Sequence, residues 1–353
     1  MAEQQHIAEP SIWQRLRVSS VVRGLILGQC LSFVMALMAV LSKLLVEEYS
    51  FSTPALQNAL GYFATFAFTL VPYASTDHDS SSDNYGRRLI ALFIIAVTDS
   101  QASFFGNLAF RYRVTVSSAG MLSSFTIPCV MVLSFIFLAT RYKRRQLFGV
   151  IIALLGITAV FLADSASQPM AATPNAASTR SAIVGDLLIL LSSAVYAVAN
   201  VITEGYVKTQ DLYEFLLWLG IFGFIISAVQ FALLEIPLKR AMIHEVSKVE
   251  ATFAGYAFLF ALFYFFTAKF LAIYDATALN LSLLTTGLWG MLFGKYIFAE
   301  QLPVLKFVGY GFVVLGISLY HSMLSAMERK LSSPILRPSA TNQSQQAKSY
   351  GAL

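Results

Sequence analysis

Along most of its length the chain alternates runs of about twenty apolar residues with short polar breaks, the run length a helix needs to cross the hydrocarbon core of a bilayer. Ten helical spans follow from this pattern, at 24–45, 54–73, 89–110, 115–138, 147–162, 186–203, 213–234, 252–273, 277–298 and 303–323. The breaks carry the charge. Glu47 and Glu48 follow the first run, Asp77, Asp79, Asp83, Arg87 and Arg88 the second, Arg111 and Arg113 the third, and the dense cluster Arg141, Lys143, Arg144 and Arg145 the fourth. Midway, 165–181 is rich in Ala, Ser, Thr and Pro, lacks an apolar period and reads as a linker. The chain thus divides into a tail at 1–23, a five-helix unit at 24–164, a linker at 165–184, a second five-helix unit at 185–324 and a Ser-, Gln- and Ala-rich tail at 325–353 that is expected to be disordered. The first run is too long for the apolar core of a cleaved leader and is expected to be retained.

The two units read as copies. The stretch from Thr115 to Ile157 returns from Asp275 to Ile317, an offset of about 160 residues, with Gly149, Leu155, Gly156 and Ile157 falling on Gly309, Leu315, Gly316 and Ile317. Gly24, Ser32, Ala36 and Val40 fall on Gly185, Ser193, Ala197 and Val201 at nearly the same offset. Two units of five spans each must lie upside down relative to one another. The expected fold is therefore an all-α integral membrane protein of ten transmembrane helices in a five-plus-five inverted repeat, with a site at the midplane between the halves.

Composition agrees with this pattern: 57% of residues are hydrophobic and 12% charged, against about 25% charged in soluble domains. The net charge of +5 comes from loop Lys and Arg and sets orientation; no basic, aromatic-interleaved surface points to nucleic acid. Placing both termini in the cytosol puts about fifteen of the 24 Lys and Arg on that side. Cys30 and Cys129 lie in apolar runs and His6, His78, His244 and His321 have no ligand spacing, so neither a metal nor another cofactor is expected. No nucleophile stands beside an evident base, which argues against an enzyme. Nothing addresses the chain to one membrane, leaving the endomembranes (ER, Golgi or vacuole) and the plasma membrane open.

Polar residues at membrane depth are costly, so they mark cavities or helix contacts. Asp99 lies halfway along span three, with Ser103 and Asn107 following at four-residue intervals on one face. Span six carries Ser193, Tyr196, Asn200 and Glu204 on one face, and span one carries Gln29, Ser32 and Lys43. Span two offers Gln57, Asn58 and Tyr62; span nine offers Asn280, Ser282, Thr285 and Thr286, and its partner span four offers Ser117, Ser123, Ser124 and Thr126. Lys269, near the end of span eight, either pairs with Asp99, Glu204 or a solute anion, or snorkels to the membrane surface. Spans five and ten have glycines and almost no interior polarity, and read as a peripheral pair that either packs the bundle or joins a homodimer.

Ten spans in two copies, with Thr53-Pro54-Ala55-Leu56-Gln57 and Tyr62, Ala96-Val97-Thr98-Asp99, Ile127-Pro128, Gly185-Asp186-Leu187-Leu188, Tyr196-Ala197-Val198-Ala199-Asn200 with Glu204 and Lys208, and Ala276-Thr277 with Asn280-Leu281, resemble the drug/metabolite transporter superfamily. Within it, the chain resembles solute carrier family 35, subfamily F. The resemblance implies a carrier of the nucleotide-sugar-transporter type, with spans one to four and six to nine around a central cavity. It also implies acidic residues where this chain has Gln101, Ser123 and Gly287, which leaves Asp99 unusually alone in the membrane.

The expected activity is secondary-active or exchange transport of a polar small-molecule solute, a nucleoside, nucleotide sugar or related metabolite, across the lipid bilayer by alternating access. Asp99 is expected to bind a proton or a donor group on the solute. Gln29, Gln57, Tyr196, Asn200 and Asn280 supply hydrogen bonds, Tyr62 and Phe104 stack on a ring, and Lys269 meets an anion. The alternative is a receptor or scaffold that kept the carrier fold without transport.

Overall fold

The computed structural model describes residues 20–49, 51–75, 85–112, 114, 116–137, 142–167, 176–235 and 246–299, together with 304, 307–312, 314–316 and 318–319. The tails, the four histidines, Arg113, Arg141, the acidic loop at 76–84 and the middle of the linker lie outside the described residues.

The chain folds as helices because a bilayer core offers no water to satisfy free backbone groups. They are α1 (Ser20–Glu47), α2 (Pro54–Ala74), α3 (Tyr85–Ala109), α4 (Val116–Leu122), α5 (Thr126–Phe137), α6 (Arg144–Ser167), α7 (Ala176–Val207), α8 (Leu212–Gln230), α9 (Val246–Ile273), α10 (Ala276–Leu283) and α11 (Thr286–Phe298). Six helices among the described residues are long and apolar enough to cross a membrane: Val22–Glu47, Tyr85–Tyr112, Val184–Val207, Leu212–Glu235, Ser247–Ile273 and Ala276–Phe298. Their outward faces carry Ile26, Ile90, Ile225 and Phe258, all exposed, a surface that suits lipid and not water.

Both ends of the stretch 165–184 are helical. Helix α6 runs on to Ser167 and α7 starts at Ala176, within the Ala-rich stretch, since alanine is the residue that most favours helix.

The run 115–138 is two helices, α4 and α5, joined by a 3-10 turn at Ser123–Phe125, and the run 277–298 is α10 and α11 joined at Leu284 and Thr285. Hydroxyls make these breaks. Ser123 Oγ donates to the Ala119 carbonyl at 2.6 Å, Thr126 Oγ1 to the Ser123 carbonyl at 2.6 Å and Thr285 Oγ1 to the Ser282 carbonyl at 2.9 Å, competing with the helix ladder. Pro128 also lacks the N–H that the Ser124 carbonyl would receive.

Helix α2 packs on α8 and α9, α3 on α7 and α8, α1 on α9, α10 and α11, α5 on α7 and α10, and α4 on α11. The core between them is built on Leu31, Tyr62, Ile95, Ile127, Phe260 and Phe270. Glycine sets the closest approaches. A Cβ on Gly316 would fall 2.5 Å from the Gly149 carbonyl oxygen, so Gly316 allows a close backbone approach to α6 inside one chain. A Cβ on Gly220 of α8 would fall 2.7 Å from the Phe66 backbone nitrogen. Gly220→Ala therefore forces helix α2 off α8 and is expected to destabilise the protein by about 1–3 kcal/mol. Gly255→Ala, which meets only Leu41 Cδ1 at 3.5 Å, is expected to be neutral or stabilising because it relieves a helical glycine. Thermal unfolding in detergent reads the two opposite signs.

Candidate functional site

Asp99 is placed by the mid-membrane turn of α3, which packs between α7 and α8, and the side chain is 5% exposed. A carboxyl group buried this deeply requires donors. The Tyr62 hydroxyl of α2 donates to Asp99 Oδ2 at 2.6 Å, and the Tyr264 hydroxyl of α9 donates to the same oxygen at 2.5 Å. Tyr62 is held rigidly: its ring meets Phe260 edge-on at 4.8 Å, and a Cβ on Gly223 would fall 2.5 Å from it. The glycine leaves the slot into which the tyrosine fits.

The α3 face continues the polar stripe. Ser103 Oγ and the Tyr196 hydroxyl share a hydrogen bond of 2.5 Å, joining α3 to α7. Asn107 Nδ2 donates to Asn58 Oδ1 at 2.9 Å and to the Tyr256 hydroxyl at 3.0 Å. Gln57 Nε2 donates to Ser42 Oγ at 2.6 Å, and Ser42 Oγ in turn lies 3.4 Å from Asn107 Oδ1. One helix face thus ties α1, α2, α7 and α9 to α3.

Beside this face lies a cavity of about 170 Å³, bounded by α1, α3, α4, α5, α7, α9, α10 and α11 and lined from Phe110 and Val116 to Asn200 and Asn280. Its size compares with an engineered cavity of about 150 Å³ that holds benzene, room in this state for part of a nucleoside-sized solute. Met35, Met38 and Phe263 supply apolar wall; Asp99, Ser103, Asn107, Tyr196 and Asn280 supply polar wall.

A set of side-chain contacts gathers around Asn200 and Asn280. Asn200 Nδ2 lies 3.5 Å from Asn280 Oδ1, and the hydroxyls of Tyr142 and Thr277 share a bond of 2.8 Å. Glu204 Oε2 accepts the Ala276 backbone N–H at 2.9 Å, while Oε1 receives Lys208 Nζ at 2.5 Å. A carboxylate at the first turn of α10 satisfies an otherwise open backbone donor.

Of the residues singled out from sequence, Asp99, Tyr196, Asn200 and Asn280 line this cavity. Tyr62 stands behind Asp99, fully buried, and Gln57 lies in the Ser42–Asn107 network. Gln29 Oε1 lies 3.2 Å from Thr285 Oγ1, beside the break before α11. Phe104 packs on Phe105 at 5.9 Å, and Lys269 is exposed with its ammonium 4.3 Å from the Phe265 ring centre. These five lie off the cavity wall. Sequence reasoning missed Tyr256 and Tyr264. The signal that could have found them is their eight-residue spacing in α9, two hydroxyls on one face of a buried helix, each needing a partner. Among the described residues no group of three or more His, Cys, Asp or Glu is placed to hold a metal ion.

Comparison with known proteins gives this geometry a lineage. A family model described as solute carrier family 35, of the F type, matches residues 18–322. Solute carrier family 35 member F2 of Mus musculus is 30% identical over 312 residues, 88% of this chain and 81% of that protein. The protein of the same name from Xenopus tropicalis is 29% identical over 302 residues, 84% of this chain and 75% of its own length. A crystal structure superposes with a TM-score of 0.59 at 16% identity, covering 89% of this chain and 99% of that one, a likeness of fold. The chain belongs to solute carrier family 35, in its F branch within the drug/metabolite transporter superfamily, and is a membrane solute transporter and not an enzyme.

Proposed function

We propose that the chain is a secondary-active or exchange carrier that moves a polar organic solute of nucleoside, nucleotide-sugar or related metabolite size by alternating access. The observation that carries this reading is Asp99, a buried carboxylate at the wall of a cavity bounded by helices from both halves of the chain. An ionisable residue at membrane depth beside a cavity marks a solute or ion path. Asp99 binds a proton or a donor group on the solute; Tyr196, Asn200 and Asn280 add hydrogen bonds.

Ten spans in an inverted repeat accommodate the packing. Under an offset of about 160 residues, α9 answers to α3, α7 to α1 and α8 to α2. The pairs α3 with α7 and α3 with α8 then map onto α9 with α1 and α9 with α2, and α5 with α7 maps onto α11 with α1. The helix breaks at Ser123–Phe125 and at Leu284 and Thr285 occupy equivalent positions in the two copies. Discontinuous helices around a midplane site are what carriers of this plan use. With both termini cytosolic, the contacts of Tyr142 with Thr277 and of Glu204 with Ala276 lie toward the inner side.

Counterflow tests the reading. Proteoliposomes carrying the full chain are loaded with a mixture of nucleosides and nucleotide sugars, and exchange is followed by mass spectrometry. Saturable exchange of at least one solute is the expected result. No exchange from a folded, correctly inserted sample would count against a carrier of these solutes and favour a receptor on the same fold.

A further inference from the structure

Asp99 presents its two oxygens unequally. Both tyrosine hydroxyls fall on Oδ2, and no protein group among the described residues bonds Oδ1, although Asp99 lines the cavity. The carboxylate is therefore half satisfied by the protein and half offered to whatever enters.

The remaining wall decides what that is. Asp99 is the one formally charged side chain among the described residues that line the cavity. The nearby cations are engaged elsewhere: Lys208 with Glu204 at 2.5 Å, Arg88 with Glu214 at 3.4 Å, Lys43 within 4.2 Å of the Phe298 ring centre, and Lys269 on the outer surface over Phe265. Phosphate binding needs Arg or Lys, or open N–H groups at a helix start. At the helix breaks several of these groups are already taken. The Thr126 N–H is taken by the Ser123 and Ser124 carbonyls, and the Thr285 and Leu288 N–H groups by Ser282 and Thr285. Two further features suit a cation. The aromatic side chains Tyr256, Phe260 and Phe263 are among the lining residues, and Thr267, another of them, has a buried Oγ1 with no protein partner.

Resting on the carrier reading above, we propose that the transported solute carries a protonated amine and no phosphate, with Asp99 Oδ1 as its anchor and Thr267 Oγ1 as a second contact. A solute cation neutralises the one charge that the cavity holds in a low-dielectric setting, whereas a phosphate would meet that charge with no counter-ion.

A charge series on one ring tests this: 5′-amino-5′-deoxyadenosine, adenosine and AMP. Binding is read as thermal stabilisation of the full chain in detergent, and transport as counterflow. The amine is expected to bind at least about tenfold tighter than adenosine, and AMP more weakly than adenosine. In Asp99→Asn, which keeps an acceptor for the two tyrosines, the advantage of the amine over adenosine is expected to disappear. The wild-type series reads the proposal even if that variant fails to fold. AMP binding as well as adenosine, no distinction among the three, no binding by any of them, or an amine advantage that survives in Asp99→Asn each overturns it. Exchange without preference for the amine leaves a carrier with a different charge rule, whereas selective amine binding without any exchange leaves the charge rule and removes the carrier.

Discussion

In Asp99→Ala, saturable counterflow falls by at least about thirtyfold while insertion into the membrane is retained. Loss of a buried charge-assisted contact costs about 2–5 kcal/mol in binding, which sets that scale. The same change strips the acceptor from the Tyr62 and Tyr264 hydroxyls, and each buried orphaned hydroxyl costs about 1–3 kcal/mol of stability, offset by removal of a buried charge. Comparing Asp99→Ala with Asp99→Asn separates the two effects, because the amide oxygen still accepts from both tyrosines. If transport in Asp99→Ala matched wild type at equal surface expression, Asp99 would have no part in the solute path.

Glu235→Ala is expected to have the largest effect on stability away from the cavity. The last turn of span seven is a π-helical turn, Phe231–Glu235, which ends with Glu235 buried at 4% exposure. Its Oε1 accepts the Ala55 N–H at 2.7 Å and its Oε2 the Leu56 N–H at 3.2 Å. These are first-turn donors of α2, a helix that opens with Pro54 and whose Thr53 makes no side-chain cap. Removing the carboxylate leaves two buried N–H groups unsatisfied, and we expect a loss of about 2–4 kcal/mol. Glu235→Gln keeps one acceptor oxygen and is expected to lose about half as much. Thermal unfolding in detergent measures both, and equal losses in the two variants would show that side-chain volume, not hydrogen bonding, holds the contact.

The sequence made some of this architecture readable and hid the rest for identifiable reasons. Asp99, Ser103 and Asn107 could be placed on one face because a helix repeats its direction every four residues or so, and Tyr196 and Asn200 followed by the same arithmetic. The partners of Asp99 could not. Tyr264 sits in the run Leu262-Phe263-Tyr264-Phe265-Phe266, where its hydroxyl is lost in the apolar signal, and only the packing of α9 on α2 brings it to the carboxylate. Gln57 and Gln29 look like cavity residues by type, yet an amide satisfies itself wherever a hydroxyl is near, and Ser42 and Thr285 are nearer than the cavity. The helix breaks at Ser123–Phe125 and at Leu284 and Thr285 escape a hydropathy reading altogether, since an apolar run looks the same whether its helix is continuous or bent.

The cap that Glu235 places on α2 spans 180 residues of chain. A ribosome delivers α2 to the membrane long before it has made the acceptor for that helix's first turn. During synthesis, two backbone amides at the start of α2 stand without their final partner until span seven arrives. The start of α2 therefore reaches its final hydrogen bonding only when the π-helical turn that follows α8 docks against it.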